Sequence, residues 1–243
     1  MKKKIGIVGG ISLASTIQYY RTITDLYFEQ FKDYYYPEII IHSLDFQYFT
    51  DMENQNRKSE YIDYIVSSTC ALEKAGADFI IMSANSPHSV FEEVEKQTRL
   101  PMISIVDTAA KYAEEKKLKD VLLTGIKYTM QSDFYQKGFK KFGIDVITPS
   151  EEHQNEINDI IFGELVINRF LDGSRKRFIE IIHSYNVDGV ILGCTELPLL
   201  VNQNDMLSHF QNRESSVQDS NKKSLLLDSL SLHCKATLRY SIT

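Results

Sequence analysis

Short apolar runs rich in Ile and Val recur along the chain, separated by longer segments in which apolar residues return at helical spacing. The runs at 4–8, 38–43, 78–83, 102–105, 119–124, 144–147, 188–192 and 225–228 predict eight strands. They are apolar almost without interruption, as strands are when helices cover both faces of a parallel sheet, so the pattern is that of successive βα units in an α/β fold.

Eight such units fit either a closed barrel or two four-stranded sheets. An internal similarity favours two sheets. Ile80-Ile81-Met82-Ser83-Ala84-Asn85 resembles Val190-Ile191-Leu192-Gly193-Cys194-Thr195, 110 residues further on. Each copy follows an Ala-Asp or Val-Asp pair and runs into a turn containing proline, Pro87 or Pro198. Two related halves are expected: residues 1–102 with about 207–243 as one α/β domain, and 103–206 as the other. Ligands of open α/β sheets collect at the carboxyl ends of strands, so both turns would line one cleft if the halves face each other. Two stretches fit less well. Residues 208–223 are polar and without period, which reads as an exposed insertion, and the segment after Asp228 predicts an irregular helix.

Composition narrows the partners. With 43% hydrophobic and 25% charged residues among 243, the balance is that of a soluble globule. No apolar run reaches the roughly 18 residues a membrane span needs. The basic start MKKKIGIVGG turns apolar for only about six residues, shorter than the core of a secretory signal, and reads as a first strand; a cytoplasmic protein is expected. A formal charge of −6 argues against a nucleic-acid partner and for a small molecule. Three cysteines, Cys70, Cys194 and Cys234, are an odd number without CxxC spacing, which suits neither a disulfide framework nor a metal site and leaves at least one free thiol.

Cys194 is the strongest chemical candidate. It follows an apolar strand in Gly193-Cys194-Thr195-Glu196, where turn N–H groups would favour an anion and so lower the thiol pKa. A free cysteine is also often plain core. In the matching turn Asn85 and Ser86 offer short polar groups, although Asn-Ser before proline is also a common turn. His88 is an acid/base candidate or a partly buried hydrogen-bonder. The Gly9-Gly10-Ile11-Ser12 turn lacks GxGxxG, which weakens a dinucleotide reading. Arg21, Asp45 and Glu164 are single polar groups that could position a substrate or simply face solvent.

Taken in order, these segments resemble the aspartate/glutamate racemase family over nearly the whole chain. The resemblance rests on Ile5-Gly6-Ile7-Val8-Gly9-Gly10 with Ser15-Thr16 and Tyr19-Tyr20-Arg21; His42-Ser43-Leu44-Asp45-Phe46; Ala84-Asn85-Ser86-Pro87-His88; Thr124 to Met130 with Asp133-Phe134-Tyr135; Ile161-Phe162-Gly163-Glu164-Leu165; and Leu192-Gly193-Cys194-Thr195-Glu196. It implies two pseudo-symmetric α/β domains, each with a four-stranded, mostly parallel sheet, with the active site in the cleft between them and usually a homodimer. The reaction it implies needs no cofactor and no pyridoxal phosphate: one cysteine removes the α-proton of an amino acid and a thiol on the other face returns a proton.

Cys194 matches the second of those cysteines, and Ala84 stands where the first belongs. An alanine carries no proton, so Ser83 is the expected catalytic substitute, with Ser86, His88 or a water as alternatives. By the resemblance Asn85, Ser86 and Thr195 hold the α-carboxylate and amine of an acidic amino acid, aspartate before glutamate, with Gly10, Ser12, Thr16 and Glu164 completing the substrate site. Arg21, Lys127 and Arg169 are available for the side-chain carboxylate, and Asp228 and His233 resemble the family's C-terminal strand and helix. A one-thiol decarboxylase, as a relative of the family is, and a weakly active amino-acid-binding homologue remain open alternatives.

Overall fold

The computed structural model describes residues 2–206 and 224–243, so the polar stretch 208–223 lies outside the described residues. The chain divides into two compact units, Met1–Thr108 with Leu230–Thr243, and Ala109–Ser229. Among the described residues each holds one four-stranded parallel sheet, eight strands in all where the apolar runs predicted them, and two open sheets stand in place of the closed barrel.

In the first unit β1 (Ile5–Gly9), β2 (Ile39–Ser43), β3 (Phe79–Met82) and β4 (Met102–Ile103) assemble in the order β2-β1-β3-β4. The alternation of a strand explains why its runs are apolar throughout. Val8, Ile80 and Met82 pack with Phe49, Tyr61, Ile65 and Leu72 on one face. Ile5, Ile7, Phe79 and Ile81 pack on the other with Tyr19, Ile23, Leu230 and Cys234. The helices supplying these residues are Leu13–Phe31, Phe46–Asn54, Lys58–Lys74 and Ser229–Ile242.

The second unit repeats the plan. Its strands β5 (Asp120–Thr124), β6 (Asp145–Ile147), β7 (Gly189–Leu192) and β8 (Leu225–Asp228) run in the order β6-β5-β7-β8. Leu122, Val190 and Leu192 are buried with Ile157, Ile161, Phe178 and Ile182 from the helices Glu151–Gly163 and Asp172–His183. The expected domain limits differ from this division at residues 103–108, which belong to the first unit, and at one strand near the C-terminus. Residues 225–228 were assigned to the first domain, yet they pair in parallel with β7, Leu192 opposite Asp228. Without β8 the fully buried β7 would be an open edge. Only the helix that follows returns to the first unit, where its Ser241 carbonyl accepts a hydrogen bond from the Lys3 N–H at 2.8 Å. Among the described residues no helix is long and apolar enough to cross a membrane.

Candidate active site

In the second unit the chain leaves β7 through a glycine held against β5. The Gly193 N–H donates to the Thr124 carbonyl at 2.8 Å, and a Cβ on Gly193 would lie 2.7 Å from that oxygen. This close approach fixes the backbone that presents Cys194. The Cys194 Sγ donates to Glu196 Oε2 at 2.9 Å, and Thr195 Oγ1 donates to the same oxygen at 2.7 Å. A carboxylate two residues on in a tight turn folds back onto the thiol and reverses the expected electrostatics. Burial pushes the Cys194 thiol well above its ordinary pKa, the Glu196 charge and hydrogen bond push it further, and the N–H groups of Glu196 and Thr195 oppose them only in part. The lowered thiol pKa expected from turn N–H groups alone is therefore corrected: the resting group is a protonated thiol hydrogen-bonded to the Glu196 side chain.

Glu164 closes the helix Glu151–Gly163 in the same unit, with φ −131° and ψ −62°. Its Oε2 is buried without a hydrogen-bond partner, as is Thr129 Oγ1. A buried acceptor left unpaired is costly unless a ligand satisfies it, and a substrate ammonium would do so.

The first unit places its candidates around the ends of β1 and β3. The Gly10 N–H donates to Thr16 Oγ1 at 2.9 Å, Thr16 Oγ1 donates to the Ser12 carbonyl at 3.0 Å, and it lies 3.2 Å from Ser83 Oγ. The Ser15 hydroxyl donates to the Ser83 carbonyl. Gly10 has φ +79°, and a Cβ there would sit 2.3 Å from the Leu44 carbonyl oxygen, so only glycine fits. Ser83 itself is fully buried, its hydroxyl donating to the Val8 carbonyl at 3.2 Å. It ties two strand ends together. Ala84 is half-buried, Asn85 and Ser86 are buried, and the Ser86 side chain hydrogen-bonds the Glu53 carboxyl.

His88 resolves to the second of its two readings. Its Nε2 accepts from the Ile105 N–H at 3.1 Å, so the ring proton sits on Nδ1 and is donated to the Ala84 carbonyl at 2.9 Å. Both nitrogens are spent on backbone. Burial and the neighbouring His233 lower its pKa to about 3. His233 is fixed in the opposite tautomer, Nε2 donating to the Ile103 carbonyl at 2.9 Å while Nδ1 takes the Tyr19 hydroxyl at 2.9 Å. Asp45 caps the helix Phe46–Asn54 through the Tyr48 N–H at 3.1 Å. Of the three cations, Arg21 pairs with Asp25 at 3.4 Å, Lys127 donates to Asn155 at 2.8 Å, and Arg169 is exposed.

Two carboxyl groups went unassigned in the sequence. Glu196 stood in view within Gly193-Cys194-Thr195-Glu196, and its spacing from the thiol was the available signal. Glu53, on a helix 33 residues before Ser86, had none.

Residues 8–220 match the family described as Asp/Glu/Hydantoin racemase. The broad specificity amino-acid racemase RacX of Bacillus subtilis (strain 168) is 29% identical over 224 residues, which cover 89% of this chain and 92% of that protein. The crystal structure of an aspartate racemase homologue from Pyrococcus horikoshii OT3 superposes with a TM-score of 0.84 at 34% identity, covering 99% of this chain and 100% of that one. Aspartate racemase from Picrophilus torridus superposes with a TM-score of 0.72 at 20% identity, over 98% and 94% of the two chains, a likeness of fold.

Proposed function

The chain belongs to the Asp/Glu/hydantoin racemase family, and from that membership together with the geometry around Cys194 we propose that it racemises an acidic amino acid, aspartate first, by moving a proton off and onto the α-carbon without a cofactor. The observation that carries this reading is the Cys194 Sγ to Glu196 Oε2 hydrogen bond at 2.9 Å. As the thiol proton passes to Glu196, the sulfur becomes a base for the α-proton. In the other direction the protonated thiol is an acid for the carbanion. A non-cysteine group serves the other face of the α-carbon, because Ala84 has no proton to give.

The unpaired Glu164 Oε2 is our assignment for the substrate ammonium, with Asn85, Ser86 and the Thr195 backbone for the α-carboxylate, and Gly10, Ser12 and Thr16 holding the shape of that turn. Leu13, Ile17 and Tyr20, 71%, 58% and 50% exposed at helical spacing on one helix, support a homodimer, which light scattering on the purified protein measures.

The test of function is proton NMR in D2O with L- and D-aspartate separately, followed by chiral analysis. Loss of the α-proton signal from both enantiomers with inversion is the expected result. Because the Bacillus relative is described as broad in specificity, the same measurement extends to glutamate and neutral amino acids. Absence of exchange with all of them would end the racemase reading, and carbon dioxide release from a malonate-type acid would then favour the one-thiol lyase that Ala84 suggests.

A further inference from the structure

We propose that His88 is the positioning residue of the turn after β3: its ring holds the Ala84–Asn85 peptide in one orientation, and through that peptide it sets how Asn85 meets the substrate's α-carboxylate. This rests on the racemase reading above, in which Asn85 holds that carboxylate. Ala84 has no polar side chain, so the backbone is what this position contributes. A trans peptide is planar, with its C=O and N–H pointing in opposite directions, and no peptide bond among the described residues is cis. A group that grips the Ala84 carbonyl therefore also aims the Asn85 N–H.

His88 grips the turn twice. Its Nδ1–H donates to the Ala84 carbonyl at 2.9 Å, and its backbone N–H donates to the Asn85 carbonyl at 3.0 Å. The Ser15 hydroxyl donates to the Ser83 carbonyl, so three successive carbonyls are held, the middle one by the His88 ring. At the equivalent place after β7, the Cys194 carbonyl accepts from the Leu197 N–H at 3.3 Å, a bond from the turn's own backbone. The turn that lacks a thiol is the one with an imidazole bonded to its backbone.

The ring can hold a peptide because it is itself held. The Ile105 N–H, at the start of the helix Ile105–Glu115, donates to Nε2 at 3.1 Å, which leaves the ring proton on Nδ1, where the Ala84 carbonyl accepts it. The Phe91 ring stacks on His88, with centroids 5.4 Å apart and planes 5° from parallel, and the His233 ring meets it edge-on at 6.0 Å. His233 is fixed in turn by the Ile103 carbonyl and the Tyr19 hydroxyl, each at 2.9 Å. Burial, and after it the neighbouring His233, lower the His88 pKa to about 3, so the donor at Nδ1 and the acceptor at Nε2 both persist near neutral pH.

Amide side chains separate the two ring bonds, since an asparagine Nδ2 can stand where Nδ1 is and a glutamine side-chain oxygen where Nε2 is. His88→Asn keeps the donor to Ala84 and loses the acceptor for Ile105; His88→Gln does the reverse. Steady-state racemisation of aspartate is compared in both, with urea titrations recording their stability. His88→Gln is expected to raise KM about tenfold, the size of one weakened hydrogen bond to a charged group, with kcat within about twofold. His88→Asn is expected to keep KM within about twofold of the wild type while losing comparable stability. A KM that rises as much or more in His88→Asn makes His88 a structural residue and overturns the proposal, as does an unchanged KM in His88→Gln. In both cases racemisation by the wild type leaves the racemase reading standing. A wild-type protein inert towards every amino acid overturns that reading, and the positioning role falls with it. If His88→Gln does not fold, nitrogen NMR of the wild-type imidazoles decides: saturating aspartate is expected to shift the His88 Nδ1 signal and to leave the His233 signals in place, and an unmoved His88 Nδ1 overturns the proposal.

Discussion

The turn after β3 and the turn after β7 occupy the same place in two sheets of the same strand order, yet they are built for different chemistry. After β7, a thiol faces the Glu196 carboxyl 2.9 Å away, and the turn's backbone is held by glycine packing. After β3, the residue at the thiol's position is Ala84, and the polar groups around it are mostly consumed in structure: Ser83 between two strands, His88 between two backbone groups, Thr16 between Gly10 and Ser12. The contrast separates what topology decides from what single side chains decide. Strand order puts a turn at a given sheet edge; whether that turn can move a proton depends on which hydroxyl, thiol or carboxyl is left uncommitted.

The largest expected effect comes from erasing the difference downward. Cys194→Ala should reduce racemisation by about 1000-fold, within the range of a lost general acid–base group, and an enzyme assay with chiral detection reads it directly. The reverse change, Ala84→Cys, should raise the rate by about 10-fold if the missing thiol limits turnover. Next is the scaffold. Gly10→Ala meets Leu44 backbone atoms at 2.3 and 2.5 Å with φ +79°, whereas Gly125→Ala in the matching turn meets the Gly193 carbonyl, its oxygen at 2.9 Å and its carbon at 3.2 Å, without a positive φ. The first should cost about 3 kcal/mol and the second about 1 kcal/mol of unfolding free energy. Urea titrations of the two variants decide it. Equal losses would mean that the two turns are equally constrained after all.

How far the sequence disclosed this contrast depends on the range of the interactions involved. The eight strands were legible because burial on both faces writes itself into consecutive residues, as in Phe79 to Met82. The sheet that β8 joins was not, since pairing between Leu192 and Asp228 is a non-local choice. Ala84 and Cys194 were legible as the two ends of an internal repeat. The states of their neighbours were hidden: His88 is locked by an N–H 17 residues away, Glu53 reaches Ser86 from another helix, and the thiol's raised pKa comes from burial that no motif displays. Polar residues at strand ends look alike in sequence whether they are spent or free.

The first unit also carries the acid sensitivity. His88 and His233 are buried and neutral, with pKa lowered to about 3 and about 4 from 6.5. Below pH 6.5 the unfolded chain takes up protons that the folded chain refuses. Stability is therefore whole above pH 6.5 and falls as the pH drops towards about 4, by about 1.4 kcal/mol per pH unit for each histidine. Glu53 acts in the opposite sense, because its raised pKa lets the folded chain bind a proton first, but it is one group against two. Urea midpoints at about pH 7, 6 and 5 should fall steadily. A flat profile would mean that the histidines accept protons in place, and that His88 is not locked.

The finest distinction concerns the carboxyl group that stands beside Cys194. Glu196 raises the Cys194 pKa by its charge as well as its hydrogen bond, so Glu196→Gln should lower it. One unit multiplies the thiolate present at a given pH by about ten, and the weaker nucleophilicity of a less basic thiolate takes back about threefold. The net gain in iodoacetamide labelling of Cys194 near neutral pH is about threefold, read by mass spectrometry of the peptide because Cys70 and Cys234 are also thiols outside any disulfide. Racemisation should fall in the same variant, since the acceptor for the thiol proton is gone. Faster labelling with slower turnover would make Glu196 the carboxyl that takes the proton of the thiol in front of it. Slower labelling would mean that Glu196 draws the thiol proton away in the resting state.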